Sequence, residues 1–478
     1  MLEISEADIR QRIERDNPWW ADSAFIIAES KFPRRVYFEP FKALALNPGL
    51  QRAAVLLGPR RVGKTVMLRQ LIHDAIGSGI NAKSILYVSI DAPVYSRMPL
   101  AKFLEFLPTQ NGNSLVIFDE IQYLKDWEVH LKDLVDNFPG TKFVASGSAA
   151  AALKLKSAES GAGRFSDFML PPLTFYEFVC FTGDDEKLVK WDAHTKQHKL
   201  LNIEEMNARF VDYLNYGGYP EAALNPEIRQ NADQFIRSDI IDKVLLKDLP
   251  TLYGINQIPE LNRLFSVLAY NAGNEVSLDN IAKTSGISKP TISRYIEYLE
   301  SAFLIIKLTT VDDNCKTLKR ERNFKVYLNN PSMRAALFAP VKPDEHDKIG
   351  HLAECAVFSQ WQHSPGAKRL RYARWKDGGE VDAVYLGGGE RPTWIGEIKW
   401  SDRINNHFKE QTDAIEVLLG KHKSINSTFF TTRTISREDS IMGRPLHIRP
   451  TAFYCYIVGR NITARLDEIV GQVIAKAA

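Results

Sequence analysis

One stretch, Ala53-Ala-Val-Leu-Leu-Gly-Pro-Arg-Arg-Val-Gly-Lys-Thr65, constrains this chain more than any other. It reads as a short apolar strand, a glycine-bounded turn and the first turn of a helix that continues through Met67, Leu68, Leu71 and Ile72. The spacing Gly58-x-x-x-x-Gly63-Lys64-Thr65 is that of a phosphate-binding loop, where successive backbone N–H groups and a helix N-terminus converge on the phosphates of a nucleotide. Gly58 and Gly63 permit backbone angles and a close approach that a Cβ would forbid. Pro59, Arg60, Arg61 and Val62 complete the loop. Lys64 is spaced to reach the β- and γ-phosphates, and the Thr65 hydroxyl to serve as a Mg²⁺ ligand. ATP and Mg²⁺ are therefore the expected cofactors.

Two further apolar runs, residues 84–90 and 114–118, are short, continuous and each followed by a carboxylate. Such runs suit strands buried on both faces of a parallel sheet between helices, which predicts an α/β core. The second run ends in Asp119 and Glu120. An acidic residue at the carboxyl end of a strand beside the phosphate strand can hold Mg²⁺, and a glutamate next to it can polarise the attacking water as general base. Asp119 alone supports nucleotide binding; Glu120 beside it argues for hydrolysis. A helix over 127–138 and a strand over 141–145 follow, leading into Ser146-Gly-Ser148. A polar residue at that strand end can sit between Glu120 and the γ-phosphate, a position open to Ser146 or Ser148.

At 478 residues the chain exceeds what one core can serve, and roughly three or four domains are expected. Lys and Arg number 61 against 58 Asp and Glu, so any nucleic-acid surface has to be local. Cys180, Cys315, Cys355 and Cys455 lie far apart, which fits reduced thiols in a cytoplasm better than a disulfide framework or a zinc site. The acidic start lacks the basic and apolar segments of a signal peptide, and no apolar run approaches the roughly 18–20 residues of a membrane span. A cytoplasmic protein with no membrane partner is expected.

Taken in order, several motifs resemble a group of prokaryotic AAA-type (P-loop) ATPases. They are the loop Gly58 to Thr65, Phe118-Asp-Glu-Ile-Gln-Tyr-Leu124 with Trp127, Ala145-Ser-Gly-Ser148, Gly163-Arg164, and Leu170-Pro-Pro-Leu-Thr-Phe-Tyr-Glu-Phe178. The resemblance, over roughly residues 34–400, implies an α/β ATPase core, a helical lid, a winged helix-turn-helix and a C-terminal α/β restriction-endonuclease-like domain. It also implies that Arg164 touches the γ-phosphate of its own or a neighbouring subunit, and so leaves a homo-oligomer open. A guanidinium suits that task because it stabilises charge on a transferring phosphoryl group. The expected division is an N-terminal segment over 1–50, the ATPase core over 51–174, the lid over 175–255, the winged helix over 256–328 and the nuclease-like domain over 329–478.

Within these segments, 4–15 reads as an amphipathic helix, followed by a turn-rich stretch in which Trp19, Trp20, Phe25 and Phe38 are packing residues. Residues 175–255 read as helix-rich, with Gly217 and Gly218 allowing a tight reversal ahead of Pro220. Helices over 261–270, 277–284 and 289–300 make a helix-turn-helix. Ser288 is the expected N-cap and Pro290 lies in the first turn of the second helix of the pair. Ile292, Ile296 and Leu299 fall on its inward face, leaving Lys289, Thr291, Ser293, Arg294 and Tyr298 facing out toward a DNA major groove. Strands over 303–308 and 324–328 enclose a basic tip at 316–322 suited to phosphate contacts, so double-stranded DNA is the expected partner.

Asn329-Asn-Pro331 and residues 340–347 read as a join. Beyond it, a helix over 349–361 carries Glu354, one strand carries Asp382, and the next carries Glu397 and Lys399 on one face. Carboxylates that converge on a divalent cation, with a lysine beside them, are what phosphodiester hydrolysis needs, Asp382 and Glu397 being the expected ligands. The pattern Glu354, Asp382, Glu397-x-Lys399 resembles the PD-(D/E)xK nuclease superfamily, whose members include noncatalytic binding versions of the same fold.

Overall fold

The computed structural model describes residues 5–95, 98–109, 114–148, 163–316, 323–364, 366–375 and 378–477, the last eleven by backbone alone. The chain divides into two compact units, Met1–Pro171 with Thr463–Ala478, and Pro172–Ile462.

The first unit is built on five strands, β1 (Ala53–Leu57), β2 (Ile85–Ser89), β3 (Leu115–Asp119), β4 (Lys142–Gly147) and β5 (Phe165–Met169), in the spatial order β2-β3-β4-β1-β5. All neighbours are parallel. β1 and β3 are buried along their whole length, as their uninterrupted apolar sequences require for strands covered on both faces. The order puts the carboxyl ends of β1, β3 and β4 side by side. That juxtaposition brings the loop after Leu57, the Asp119-Glu120 pair and Ser146 to one place.

The N-terminal segment finishes the free edge of this sheet at β2. The Asn17 side chain both donates to Tyr87 O (2.9 Å) and accepts from Tyr87 N (2.7 Å). The Trp19 and Trp20 indole N–H groups both donate to Ile85 O, at 3.1 and 2.7 Å. Asn17 and the indoles thus occupy backbone groups that an edge strand otherwise leaves open. Trp19 packs as expected, whereas Phe25 is exposed.

The second unit opens with helices, among them Phe175–Thr182 and Ile203–Tyr216. Between them lies a hairpin, β6 (Val189–Asp192) and β7 (Gln197–Leu200), inside a segment expected to be helical. Its turn is set locally, because the Asp192 carboxylate accepts from the backbone N–H of His194 and Thr195 and Lys196 takes a positive φ of 52°. Gly217 and Gly218 both lack the positive φ expected of a tight reversal. What requires glycine at 218 is proximity, since a Cβ there would lie 2.3 Å from the Asn330 side chain.

Helices Ile258–Tyr270, Leu278–Ser285 and Lys289–Ser301 pack together, with Gly286 (φ 73°) turning the link and the Ser288 hydroxyl accepting from Thr291 N at 3.3 Å. Ile292, Ile296 and Leu299 are buried as their spacing predicts. Tyr298 does not face out: its ring stacks on Tyr253 with centroids 3.6 Å apart. Lys289 is tied to Asp279. Residues 317–322 of the expected basic tip lie outside the described residues.

Strands β8 (Glu275–Ser277), β9 (Ile305–Val311), β10 (Asn323–Leu328), β11 (Leu370–Arg374), β12 (Glu380–Leu386), β13 (Pro392–Glu397), β14 (Ser427–Thr432), β15 (Arg437–Ile441) and β16 (Arg444–Pro450) form one sheet. Its order is β15-β16-β14-β13-β12-β11-β9-β10-β8. The joint between β8–β10 and the rest is the parallel pair β9–β11, through Thr310 and Tyr372. A division at residue 328 therefore runs between strands of one sheet. The stretch Asn329-Asn-Pro331 is likewise no solvated linker. Asn330 is fully buried, its carbonyl accepts from Ser332 N (3.0 Å) and Oγ (2.6 Å), and its amide donates to Tyr213 Oη (3.4 Å). Tyr213 in turn donates to Leu173 O and accepts from Gln360, each at 2.9 Å. Composition marks this segment as a join because polar residues dominate it; Asn330 can be buried because both ends of its side chain have partners, whereas the buried Asn329 amide nitrogen has none among the described residues.

Candidate functional site

The phosphate-loop sequence forms a strand-loop-helix unit in which β1 ends at Leu57 and a helix runs Lys64–Gly77. Gly63 has φ 95°, and a Cβ on Gly58 would lie 2.2 Å from Leu170 O, so each glycine answers a separate demand, one of conformation and one of space. Lys64 is buried and its ammonium donates to Gly58 O (3.0 Å) and Pro59 O (2.7 Å), which holds the charge at the mouth of the loop. Arg60 reaches Tyr123 Oη at 3.2 Å, and Arg61 adopts φ 63° on the exposed side of the loop.

Asp119 is the hub of the neighbouring strand ends. Its Oδ2 accepts from Thr65 Oγ1 (2.8 Å) and from Tyr87 Oη (2.6 Å), and its Oδ1 accepts from the Ser146 hydroxyl. Thr65 and Asp119, the expected metal pair, are thus in contact, and their hard oxygens fit Mg²⁺ by donor chemistry. Glu120 follows at φ 53°, a left-handed conformation uncommon outside glycine, and its N–H donates to Ser146 Oγ at 3.2 Å. Its carboxylate is held by the Gln122 side-chain amide, whose oxygen accepts from Ser148 N at 3.1 Å. Ser146 is therefore placed on Asp119 and the Glu120 backbone, and Ser148 is linked through its backbone to Gln122.

Two contributors escape the sequence reading. Arg35 is buried, and its guanidinium donates to Val62 O (2.8 Å) and Pro171 O (2.9 Å), bracing the loop from behind. Tyr87 joins Asp119 from the adjacent strand, with the Arg69 guanidinium 3.7 Å above its ring. Arg164 requires a correction. It precedes Phe165, which is in register with Ala53 at the start of β1, while the loop leaves β1 after Leu57. At roughly 3.3 Å per residue, Arg164 lies on the order of 15 Å from the loop, at the opposite end of the strands. Its side chain pairs with Asp136 at 2.9 Å, so it does not serve the phosphate site of its own subunit.

The second unit gathers the other predicted set. Helix His346–Trp361 supplies Glu354, β12 supplies Asp382, and β13 supplies Glu397 with Lys399 just beyond it. The Lys399 ammonium is 2.7 Å from Asp382 and 2.9 Å from Glu397. Ile398 N donates to Asp382 Oδ2 at 3.0 Å, and Tyr327 Oη donates to Glu354 at 3.0 Å. Burial would raise the Asp382 pKa, yet the Lys399 and Lys325 charges hold it below the usual carboxylate range. Glu397 is pushed well up by burial and by the Asp382 charge, and Glu354 up to about 7 by the same two causes. Among the described residues no group of three or more His, Cys, Asp or Glu is placed to hold a metal ion. The donor chemistry is that of a divalent cation, but in this arrangement the carboxylates are satisfied by ammonium groups, and the cluster as it stands does not fit a metal.

Comparison with known proteins adds the following. Residues 50–179 match the family model described as an AAA domain. That match supports an AAA-type ATPase core in the first unit. Residues 207–344 match a second model, described as a domain of unknown function (DUF8612). An uncharacterized protein of Methanocaldococcus jannaschii is 25% identical over 282 residues, 57% of this chain and 60% of the relative. An uncharacterized protein of Haemophilus influenzae is 28% identical over 268 residues, 54% of this chain and 62% of the relative. The chain thus spans about three fifths of the length of these curated relatives. A chain of the S. cerevisiae Hsp104:casein complex in its extended conformation is similar at TM-score 0.30 and 15% identity, over 56% of this chain and 50% of that one. No helix among the described residues is long and apolar enough to cross a membrane. The four cysteines are free, three of them buried.

Proposed function

We propose that this protein binds and hydrolyses ATP through its AAA-type core and acts in association with double-stranded DNA, which it engages through the winged helix-turn-helix. The C-terminal part of the sheet is, in this proposal, a nuclease-like domain of the PD-(D/E)xK kind. The observation that carries the reading is the convergence of Thr65, Tyr87 and Ser146 on Asp119, with the Lys64 ammonium held by the carbonyls of the adjoining loop. Mg²⁺ held at Thr65 and Asp119 would supply neutralisation of phosphate charge. Lys64 and the loop amides bind and orient the phosphates, while Glu120, aimed by Gln122, is the group that accepts a proton from water. Arg164, exposed at the far end of the sheet, is free of any role in its own subunit's site and would act only on a neighbour's nucleotide in an oligomer.

A second reading is favoured by the ammonium-satisfied carboxylates: a nucleotide-dependent switch that holds DNA or a protein while the nuclease-like domain cleaves nothing. Incubating the protein with plasmid DNA, Mg²⁺ or Mn²⁺, and ATP or a nonhydrolysable analogue separates the two. Nicking or linearisation supports the nuclease; ATP turnover with intact plasmid supports the switch; no ATP turnover rejects both.

A further inference from the structure

The carboxylate cluster holds a second lysine, contributed by the strand that borders the helix-turn-helix. Lys325 lies on β10, and its side chain is 5% exposed. Its ammonium is 2.6 Å from Glu380, 3.5 Å from Asp382 and 3.9 Å from Glu354. Its strand is paired on both sides, Lys325 standing opposite Leu308 of β9 and Glu275 of β8. Lys399 differs: its side chain is 38% exposed and has a way out to solvent. A buried charge persists only where it is paired, and Lys325 is a fixed partner of Glu354, Glu380 and Asp382, while Glu397 is held by Lys399.

We propose that Lys325 is the resident cation of the cluster and excludes a divalent metal from it, so that neutralising Lys325 turns the cluster into a divalent-cation site. The inference rests on reading Glu354, Asp382 and Glu397 as metal-site residues of a nuclease-like domain. It places control of metal entry on β10, a strand of the segment proposed to meet DNA, and not on the Glu-x-Lys strand itself.

The test is Mn²⁺ binding to the full chain, followed by electron paramagnetic resonance and calorimetry without DNA or nucleotide. An Asp119→Asn background removes the other metal position. Lys325→Met should bind Mn²⁺ at least about tenfold more tightly than its Lys325 parent, the expected scale for removing one charge within a few ångströms of the ion. Lys325→Arg, which keeps the charge, should match the parent. Lys325→Gln, checked by circular dichroism, serves in the same comparison if the Met variant does not fold. A parent that binds Mn²⁺ as tightly as Lys325→Met overturns the inference and leaves the metal-site reading standing. Absence of Mn²⁺ binding in both, up to millimolar concentrations, overturns the two together.

Discussion

The loop at Gly58 to Thr65 and the cluster around Asp382 handle charge in opposite ways. In the first, backbone carbonyls accept from Lys64 and hydroxyls donate to Asp119, so that neutral dipoles contribute to restraining each charge. In the second, Asp382 and its neighbours are restrained by full opposite charges, Lys399 and Lys325, and an incoming ion has to displace one of them. The difference teaches that conserving electrostatic potential and satisfying it are separate achievements. A site held by dipoles is ready for a ligand, whereas one held by ions is already occupied by its own chain.

That contrast can be broken by substitution. The largest effect is expected for Glu120→Gln, which should lower ATP turnover roughly 10²- to 10⁴-fold while nucleotide affinity persists, read by phosphate release beside equilibrium binding. Unchanged turnover would remove Glu120 from the chemistry. Lys64→Ala should weaken nucleotide binding by about 2–3 kcal/mol, roughly 30- to 150-fold, on a calorimetric titration. If binding were retained, the dipole-held charge would have no ligand to meet.

The ion-held site gives a pH signature. Glu354 has its pKa raised from 4.5 to about 7, so the fold favours its protonated form. Its contribution to stability is complete below about 4.5 and is lost as pH rises through about 7. In chelator, Glu354→Gln should remove that part of the decline, on the order of 3 kcal/mol, from denaturant melts taken between these limits. An unaltered pH profile would mean that Glu354 is not strained by its neighbours. The smallest effect belongs to Arg164→Ala. With an exposed partner at Asp136, it should change stability by less than about 0.5 kcal/mol and leave nucleotide affinity at low protein concentration intact. A large loss of affinity in monomers would contradict its place at the far end of the sheet.

Much of the first unit is legible because its information is contiguous. The apolar runs of β1 and β3 and the glycines between strand and helix each answer a local rule. β5 is not, since Ser166 and Asp167 interrupt it where an edge strand is half solvated. Arg164 sits beside that strand, and without its register no spacing rule gives the direction in which the arginine lies. In the second unit the four expected polar residues lie together, yet Lys325 was hidden in plain alternation. Phe324, Val326 and Leu328 mark one face of β10, and Lys325 with Tyr327 the other, a pattern that ordinarily means a solvated face. What reverses it is the packing of β10 beside Glu354 and Asp382, which are far away in the chain. Asn330 shows the same limit, for a polar segment reads as a linker until its partners are known.

The attachment of Asn17, Trp19 and Trp20 to β2 has a consequence for solubility. Stripped of its first twenty residues, this chain would present a bare adhesive rim along β2, where another copy could dock strand to strand and begin a filament. The opening residues act in that sense as a selvedge, keeping the woven margin from catching on its neighbours.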